Sequence, residues 1–342
     1  MSRIARHKLN ILFTCAGRRV ALMEAFRRAM TALDVEGRLI ATDVTSASAA
    51  YVKADLGVPS PPVGSIQYIS TLHEIVRKNQ IGLLVPLTDL DLRQLARHRD
   101  AFAAEGCTVM IGSEQSIMLC RDKAQTNALL AKIGLSSIIT RPLAEFMKAP
   151  FYPCFIKPLR GSAGIGAAVI HDEQELKSHV ATHGQKMIVQ EYAPGQEFTI
   201  DVYRTRAGEV KCVVPRQRLA VRSGEVEKGV TVRDKELTAA AMKLAANLEG
   251  LWGVFCCQCR REANGATRFF EVNPRFGGGC LLSIAAGADL PMYLMQEVLG
   301  LPITAEIGKF TDRLLMLRYD EAVFVRVEDR SKLPGFDTPT FR

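Results

Sequence analysis

A chain of 342 residues, 48% hydrophobic and 23% charged, has the make-up of an ordinary globular protein and is too long for one simple core. No apolar run approaches the roughly 20 residues that cross a bilayer, and the short stretch Ile11 to Phe13 after the basic start is not a secretory signal, so a cytoplasmic protein without membrane contact is expected. The formal charge of +8 comes without a long basic block or a nucleic-acid-binding signature, which argues against nucleic acid and suits phosphate-bearing ligands. Nine cysteines, three of them crowded at Cys256, Cys257 and Cys259 in one apolar run, read as small hydrophobes in a reducing compartment, not as a disulfide framework or a zinc site.

In chain order, the first section alternates strands and helices. Leu9 to Thr14 is a short apolar strand, Cys15 to Arg19 a loop, and Val20 to Ala32 has helical periodicity. Arg38 to Asp43, Ile81 to Leu87 and Cys107 to Ile111 read as strands, with helices over Leu72 to Lys78 and Leu90 to Ala104. This alternation implies a parallel sheet covered on both faces. One helix is predicted over Glu114 to Ile133, ended by Gly134. Pro153 to Pro158 is a strand, followed by a glycine-rich loop, the strand Ala167 to His171, the helix Glu173 to His183 and the strand Met187 to Tyr192. Beyond it lie strands Phe198 to Thr205, Val210 to Pro215, Val254 to Arg261 and Thr267 to Val272, with helices Asp234 to Leu248 and Met292 to Leu299. Three units follow: an α/β domain over 1–112, a linker helix and small lid over 113–193, and an α+β lobe over 194–342.

Three segments carry chemistry. Lys157-Pro158-Leu159-Arg160-Gly161-Ser162-Ala163-Gly164-Ile165-Gly166 joins two strands, and its glycines let backbone N–H groups converge on phosphate oxygens. It lacks the Gly-Lys-Ser/Thr ending of a Walker loop, and a strand, not a helix, follows it. Taken alone, a tight hairpin with no ligand looks the same. In Phe269-Phe270-Glu271-Val272-Asn273-Pro274-Arg275, Glu271 and Asn273 project from one strand face as hard oxygen donors suited to Mg2+ with nucleotide phosphates. Arg275 adds a guanidinium fork for a phosphoryl group or oxyanion, and a hairpin would set Gln258 opposite Glu271. The run Gln190-Glu191-Tyr192-Ala193-Pro194-Gly195-Gln196-Glu197 is a strand–turn–strand hinge whose backbone can pair with an adenine edge and whose carboxylate can accept from ribose, though a plain hairpin connection fits it too.

These segments in this order resemble the ATP-grasp superfamily, and most nearly its carbamoyl-phosphate-synthase large-subunit type, over roughly Lys8 to Leu317. The resemblance implies an ATP-grasp fold, α/β and α+β, with an N-terminal parallel α/β domain, a lid and a C-terminal lobe. It implies ATP and Mg2+ as cofactors, with Lys123 and Lys157 on the phosphates, Gly161 to Gly166 (Ser162 and Gly164 included) as the covering loop, and Glu191, Tyr192 and Ala193 at adenine. Glu197 would hold ribose, Glu271 and Asn273 the metal, and Arg275 the acyl phosphate. Gln258 stands where many relatives have a carboxylate, which leaves a second metal open. Arg216, Arg218 and Arg222 fit either an anionic acceptor or a solvated loop; Asp89 and Asp91 read better as helix caps before Leu92 than as substrate ligands. The expected activity joins a small-molecule carboxylate to an amine through an acyl phosphate, in a chain whose relatives are often homodimers. Carbamoyl-phosphate-type chemistry and a non-catalytic nucleotide-binding regulator are the alternatives. The single Glu-Val-Asn-Pro-Arg string speaks against the first, and the intact set Lys123, Lys157, Glu271, Asn273 and Arg275 against the second.

Overall fold

The computed structural model describes residues 7–158, 166–222 and 224–326. A parallel five-stranded sheet runs in the order Leu56–Pro59, Leu39–Asp43, Asn10–Thr14, Ile81–Pro86, Thr108–Val109. The chain starts at the central strand, builds outward on one side, then crosses to the other. The loops leaving Asn10–Thr14 and Ile81–Pro86 therefore diverge and open a crevice at the carboxyl ends of these strands. Helix Val20–Ala32 buries Leu22, Met23, Ala25, Phe26, Ala29 and Met30, the stripe its periodicity predicts.

Two antiparallel sheets follow. The smaller has the order Ala168–Ile170, Cys154–Pro158, Met187–Glu191, Thr140–Pro142; the larger runs Thr267–Asn273, Gly253–Arg261, Gln196–Arg204, Val210–Arg222, Glu225–Thr231, Leu315–Leu317. Among the described residues, two large apolar clusters each draw on both the parallel sheet and the six-stranded sheet: Leu12 and Leu84 share one with Phe255 and Phe269, Phe13 and Phe26 the other with Tyr203 and Phe276. The four-stranded sheet has its own core, Phe146, Ile156, Leu176 and Val189 within it.

Three expectations are corrected, the first by a local cap and the other two by partners distant in sequence. The helix over Glu114 to Ile133 is two helices, Glu114–Arg121 and Lys123–Lys132, because Asp122 turns extended and caps the second by accepting from the N–H groups of Ala124 and Gln125. The polar stretch after Pro215 is not a loop. Strand Val210–Arg222 runs through Arg216 and Arg218 and pairs with Glu225–Thr231, because each of these arginines meets a carboxylate on strand Gln196–Arg204. Asp91 stands at the cap position of helix Leu92–Ala104 but makes no side-chain cap; it is fully buried and accepts from Thr14 Oγ1 at 2.6 Å and Tyr68 OH at 2.9 Å.

Arg216 is the largest side chain sealed in the interior. At 1% exposure it grips Asp201, at 0%, through Nε at 2.7 Å and Nη2 at 3.0 Å, and Ser283 Oγ donates to the same carboxylate at 2.6 Å. Replacing Arg216 by Ala strands a buried carboxylate. The expected loss is about 3–5 kcal/mol of unfolding free energy by chemical denaturation; a loss below ~1 kcal/mol contradicts this account of the pair.

Candidate active site

A cavity of ≈ 530 Å³ lies between the two antiparallel sheets. Phe155, Lys157 and Val169 form its wall on the lid sheet, the hinge Gln190 to Ala193 its back, and Glu197, Arg218, Gln258, Arg260 and Glu271 its floor. Local structure explains this convergence. Lys157 sits in strand Cys154–Pro158, in register with Ile188. Strand Thr267–Asn273 pairs with Gly253–Arg261, placing Gln258 opposite Glu271, and the register then skips Phe270. That bulge lets two consecutive residues, Phe270 and Glu271, both line the cavity.

Lys157 carries the strongest electrostatic signal. Burial pushes its pKa down, and the Lys123 ammonium, within hydrogen-bonding reach at the first turn of its helix, pushes it further; Glu271 and Glu197 pull back, and the net value is about 8. Lys157 and Glu271, from two different sheets, thus line one cavity, and Lys123 lies near enough to Lys157 to depress its pKa.

The floor is an ordered array. Glu197 faces two arginines, Arg260 Nη2 at 2.8 Å and Arg218 Nε at 3.2 Å. With its amide oriented to satisfy both ends, Gln258 donates to Glu271 Oε2 at 2.8 Å and accepts from Arg218 Nη1 at 3.0 Å. In this orientation Gln258 links Arg218 to Glu271 across the floor of the cavity. Asn273 is buried two residues beyond Glu271. Among the described residues no three His, Cys, Asp or Glu side chains cluster to cage a metal. The donors present, one carboxylate and one amide oxygen, fit an ion that takes few protein ligands and completes its shell with phosphate and water, as Mg2+ does.

The other expected residues divide. Tyr192 and Ala193 line the cavity, with the Ala193 carbonyl accepting from Arg260 at 3.3 Å; the Glu191 N–H donates to Ile139 O at 2.9 Å and its carboxylate pairs with Arg268 at 2.6 Å. Gly166, at φ +70°, gives its carbonyl to His179 Nε2 at 3.0 Å. Gly161, Ser162 and Gly164 lie outside the described residues. Of the three arginines weighed for an acceptor, only Arg218 lines the cavity. Arg216 is sealed against Asp201, and Arg222, half exposed, pairs with Asp320 at 2.7 Å. Arg275 reaches the parallel domain: its Nε and Nη2 donate to Asp89 Oδ2 at 3.0 and 2.6 Å. Burial works against its charge, but Asp89 more than offsets this and the net direction is up. Arg260 escaped sequence reading, although its spacing of two from Gln258 puts both on one strand face.

A lid sheet and a larger antiparallel sheet enclosing a cleft, behind a parallel α/β domain, make up the ATP-grasp fold, and the comparisons agree. Residues 183–321 match the family described as "ATP-grasp in the biosynthetic pathway with Ter operon", and residues 11–110 match the "PylC-like, N-terminal domain". The chain thus has the ATP-grasp fold, its second half similar to an ATP-grasp family and its first third to a PylC-like N-terminal domain. A D-alanine–D-alanine ligase of Thermotoga sp. (strain RQ2) is 35% identical over 100 residues, 27% of this chain and 32% of that protein. A formate-dependent phosphoribosylglycinamide formyltransferase of Bifidobacterium adolescentis is 25% identical over 269 residues, 69% of this chain and 66% of that one. The chain thus spans about a third of the first relative's length and just under two thirds of the second's. By structure, the biotin carboxylase domain of Hydrogenobacter thermophilus 2-oxoglutarate carboxylase superposes with a TM-score of 0.69 at 14% identity, over 89% of this chain and 73% of that one.

The lysine cluster is directly testable. Lys157 is expected to titrate near pH 8 when its ε-carbon is followed by NMR, and Lys123→Ala should move that midpoint upward by removing a repelling charge. A Lys157 midpoint left unchanged by the substitution shows the two ammonium groups do not meet.

Proposed function

We propose that the chain is an ATP- and magnesium-dependent carboxylate–amine ligase that forms ADP, activates a small-molecule carboxylate as an acyl phosphate and passes the acyl group to an amine. The observation that carries this reading is that Lys157 and Glu271 line one cleft, with the Lys123 ammonium close to Lys157. Two mutually repelling ammonium groups in a partly desolvated pocket are stabilised by a polyanion, and a carboxylate facing them suits the divalent cation that accompanies nucleotide phosphates. The matched relatives include a ligase, and the 2-oxoglutarate carboxylase domain was solved with MgADP and bicarbonate.

In this reading the triphosphate extends past Lys157 and Lys123, with the adenine against the backbone of Glu191, Tyr192 and Ala193. Glu197, already steadied by two arginines, keeps acceptor capacity for ribose. Glu271 and Asn273 would hold magnesium, which supplies positive charge between phosphate oxygens. The substrate carboxylate oxygen attacks the γ-phosphorus as the bond to ADP breaks. Lys157 and Lys123 offset charge on the moving phosphoryl group, and Arg275 that on the acyl phosphate. The amine then bonds to the acyl carbon, phosphate leaves with the C–O electron pair, and the amine gives up a proton. No protein nucleophile takes part.

The units 1–112, 113–193 and 194–342 are the working domains we assign. The substrates are small molecules, and a homodimer is the expected assembly, since the 2-oxoglutarate carboxylase domain was solved as a dimer. No helix among the described residues is long and apolar enough to cross a membrane. Nine free cysteines suit the reducing cytoplasm.

Glu271→Ala is expected to lower ADP formation by about 100-fold or more while leaving the melting transition within a few degrees. Near-normal turnover in that variant removes the magnesium assignment.

A further inference from the structure

The crevice of the parallel sheet and the arginine that follows the metal-side strand meet in one contact that the proposed chemistry leaves unused. Asp89 lies in the loop after Ile81–Pro86, at the point where the strand order reverses. Arg275 follows Thr267–Asn273, its N–H tied back to Asn273 O at 2.8 Å. Both guanidinium contacts to Asp89 fall on the single oxygen Oδ2. The Arg275 side chain is 15% exposed and that of Asp89 39%, so the pair is largely buried on the arginine side and open to solvent on the carboxylate side. As a strut between domains it would be redundant, because two shared apolar cores already join them.

We propose that the Asp89–Arg275 pair is the resting form of an amino-acid subsite, in which the substrate carboxylate replaces Asp89 on Arg275 and the substrate ammonium replaces Arg275 on Asp89. The inference rests on the ligase reading above and names its substrate class. A zwitterion carries, a few atoms apart, the two charges that this pair presents. Its entry exchanges one ionic partner for another on each side and leaves neither protein charge bare. A carboxylate without an ammonium takes Arg275 but leaves Asp89 with no cation. Two residues on, Asp91 is fully buried and its Oδ1 has no hydrogen-bond partner, so the same loop holds acceptor capacity that the chain does not use. Other charges packed here do other work. Arg19 donates to Gly277 O at 3.4 Å and pairs with Glu225 at 3.5 Å, Arg121 donates to the Asp89 backbone carbonyl, and Asp43 accepts from the Gly17 N–H at 3.0 Å.

The test uses the full chain with MgATP and hydroxylamine, which captures acyl phosphates as hydroxamates without any knowledge of the acceptor. The probes are the standard amino acids in both enantiomers, each against its des-amino counterpart: propionate for alanine, glutarate for glutamate, 3-phenylpropionate for phenylalanine. The expected result is hydroxamate from an amino acid and about ten-fold less or lower from its des-amino partner. Asp89→Asn should raise KM for that amino acid by about ten-fold or more, leave KM for ATP unchanged, and lower KM for the des-amino counterpart, so that the preference between the two collapses. A uniform fall in kcat for both probes would make Asp89 only a prop for Arg275 and overturn the subsite. Equal use of des-amino acids would also overturn it while the ligase reading stands. Absence of hydroxamate from every probe, with ATP binding intact, would remove the ligase reading and the subsite together.

Discussion

Lys157 and Lys123 repel each other across a cleft that is partly closed to water, and much of the site is arranged around that unfavourable contact. Burial alone would push a lysine towards its neutral form, and a second ammonium adds to the effect. Glu271 offsets part of it from the opposing sheet. What remains is a pocket with positive potential and one carboxylate, stabilised by whatever brings several negative oxygens. Glu271 is itself fixed by Gln258, which is fixed by Arg218, which faces Glu197. The polar floor is therefore a chain of satisfied contacts, and its geometry is set before any ligand arrives.

Beneath that floor the Asp201–Arg216 pair explains the glycines after Arg275. A Cβ on Gly279 would sit 2.3 Å from Val226 Cγ1 and 2.5 Å from Arg216 Nη1, and one on Gly277 would press on Cys256 Sγ and Asp201 Oδ1. Glycine is required because the backbone passes directly over a buried ion pair. The glycine run is thus a packing device. It lays the segment bearing Arg275 flat against the sheet, so that the guanidinium is carried across to the parallel domain.

Much of this was legible in the sequence, and what was not had a common cause. Periodicity gave the right bounds for helices Val20–Ala32 and Glu173–His183, because each is decided by local pattern and ends at local signals. The same holds for Lys157 and Glu271, whose surroundings are written in contiguous segments. Arg216 looked like a solvent-facing arginine because its partner, Asp201, is on the adjacent strand and invisible to any window. Asp91 looked like a cap because Thr14 and Tyr68, its true partners, come from two other elements. Phe270 joined the cavity only through a bulge, which depends on how two strands slip past one another. Each of these three involved a polar or irregular feature satisfied at long range, where single-residue preference carries no information; the helix break at Asp122, capped by its own neighbours, is the exception.

The distribution of apolar clusters fixes which wall of the cleft is able to move. The parallel domain and the six-stranded sheet cannot separate without opening two shared cores, and with them the contact between Asp89 and Arg275. The lid sheet, built on Phe146, Ile156, Leu176 and Val189, has no such obligation. It is held to the rest of the molecule by the hinge after Met187–Glu191 and by the strip that donates from Ile138 N–H to Phe269 O. Lys157 therefore belongs to the wall with a core of its own, while Lys123, Glu271 and Arg275 belong to the one built on the shared cores. The repulsion between Lys157 and Lys123 favours separation of the walls, and an anion between them reverses the sign of that term. Closure of such a cleft is then coupled to ligand charge by Coulomb's law alone, without any further switch.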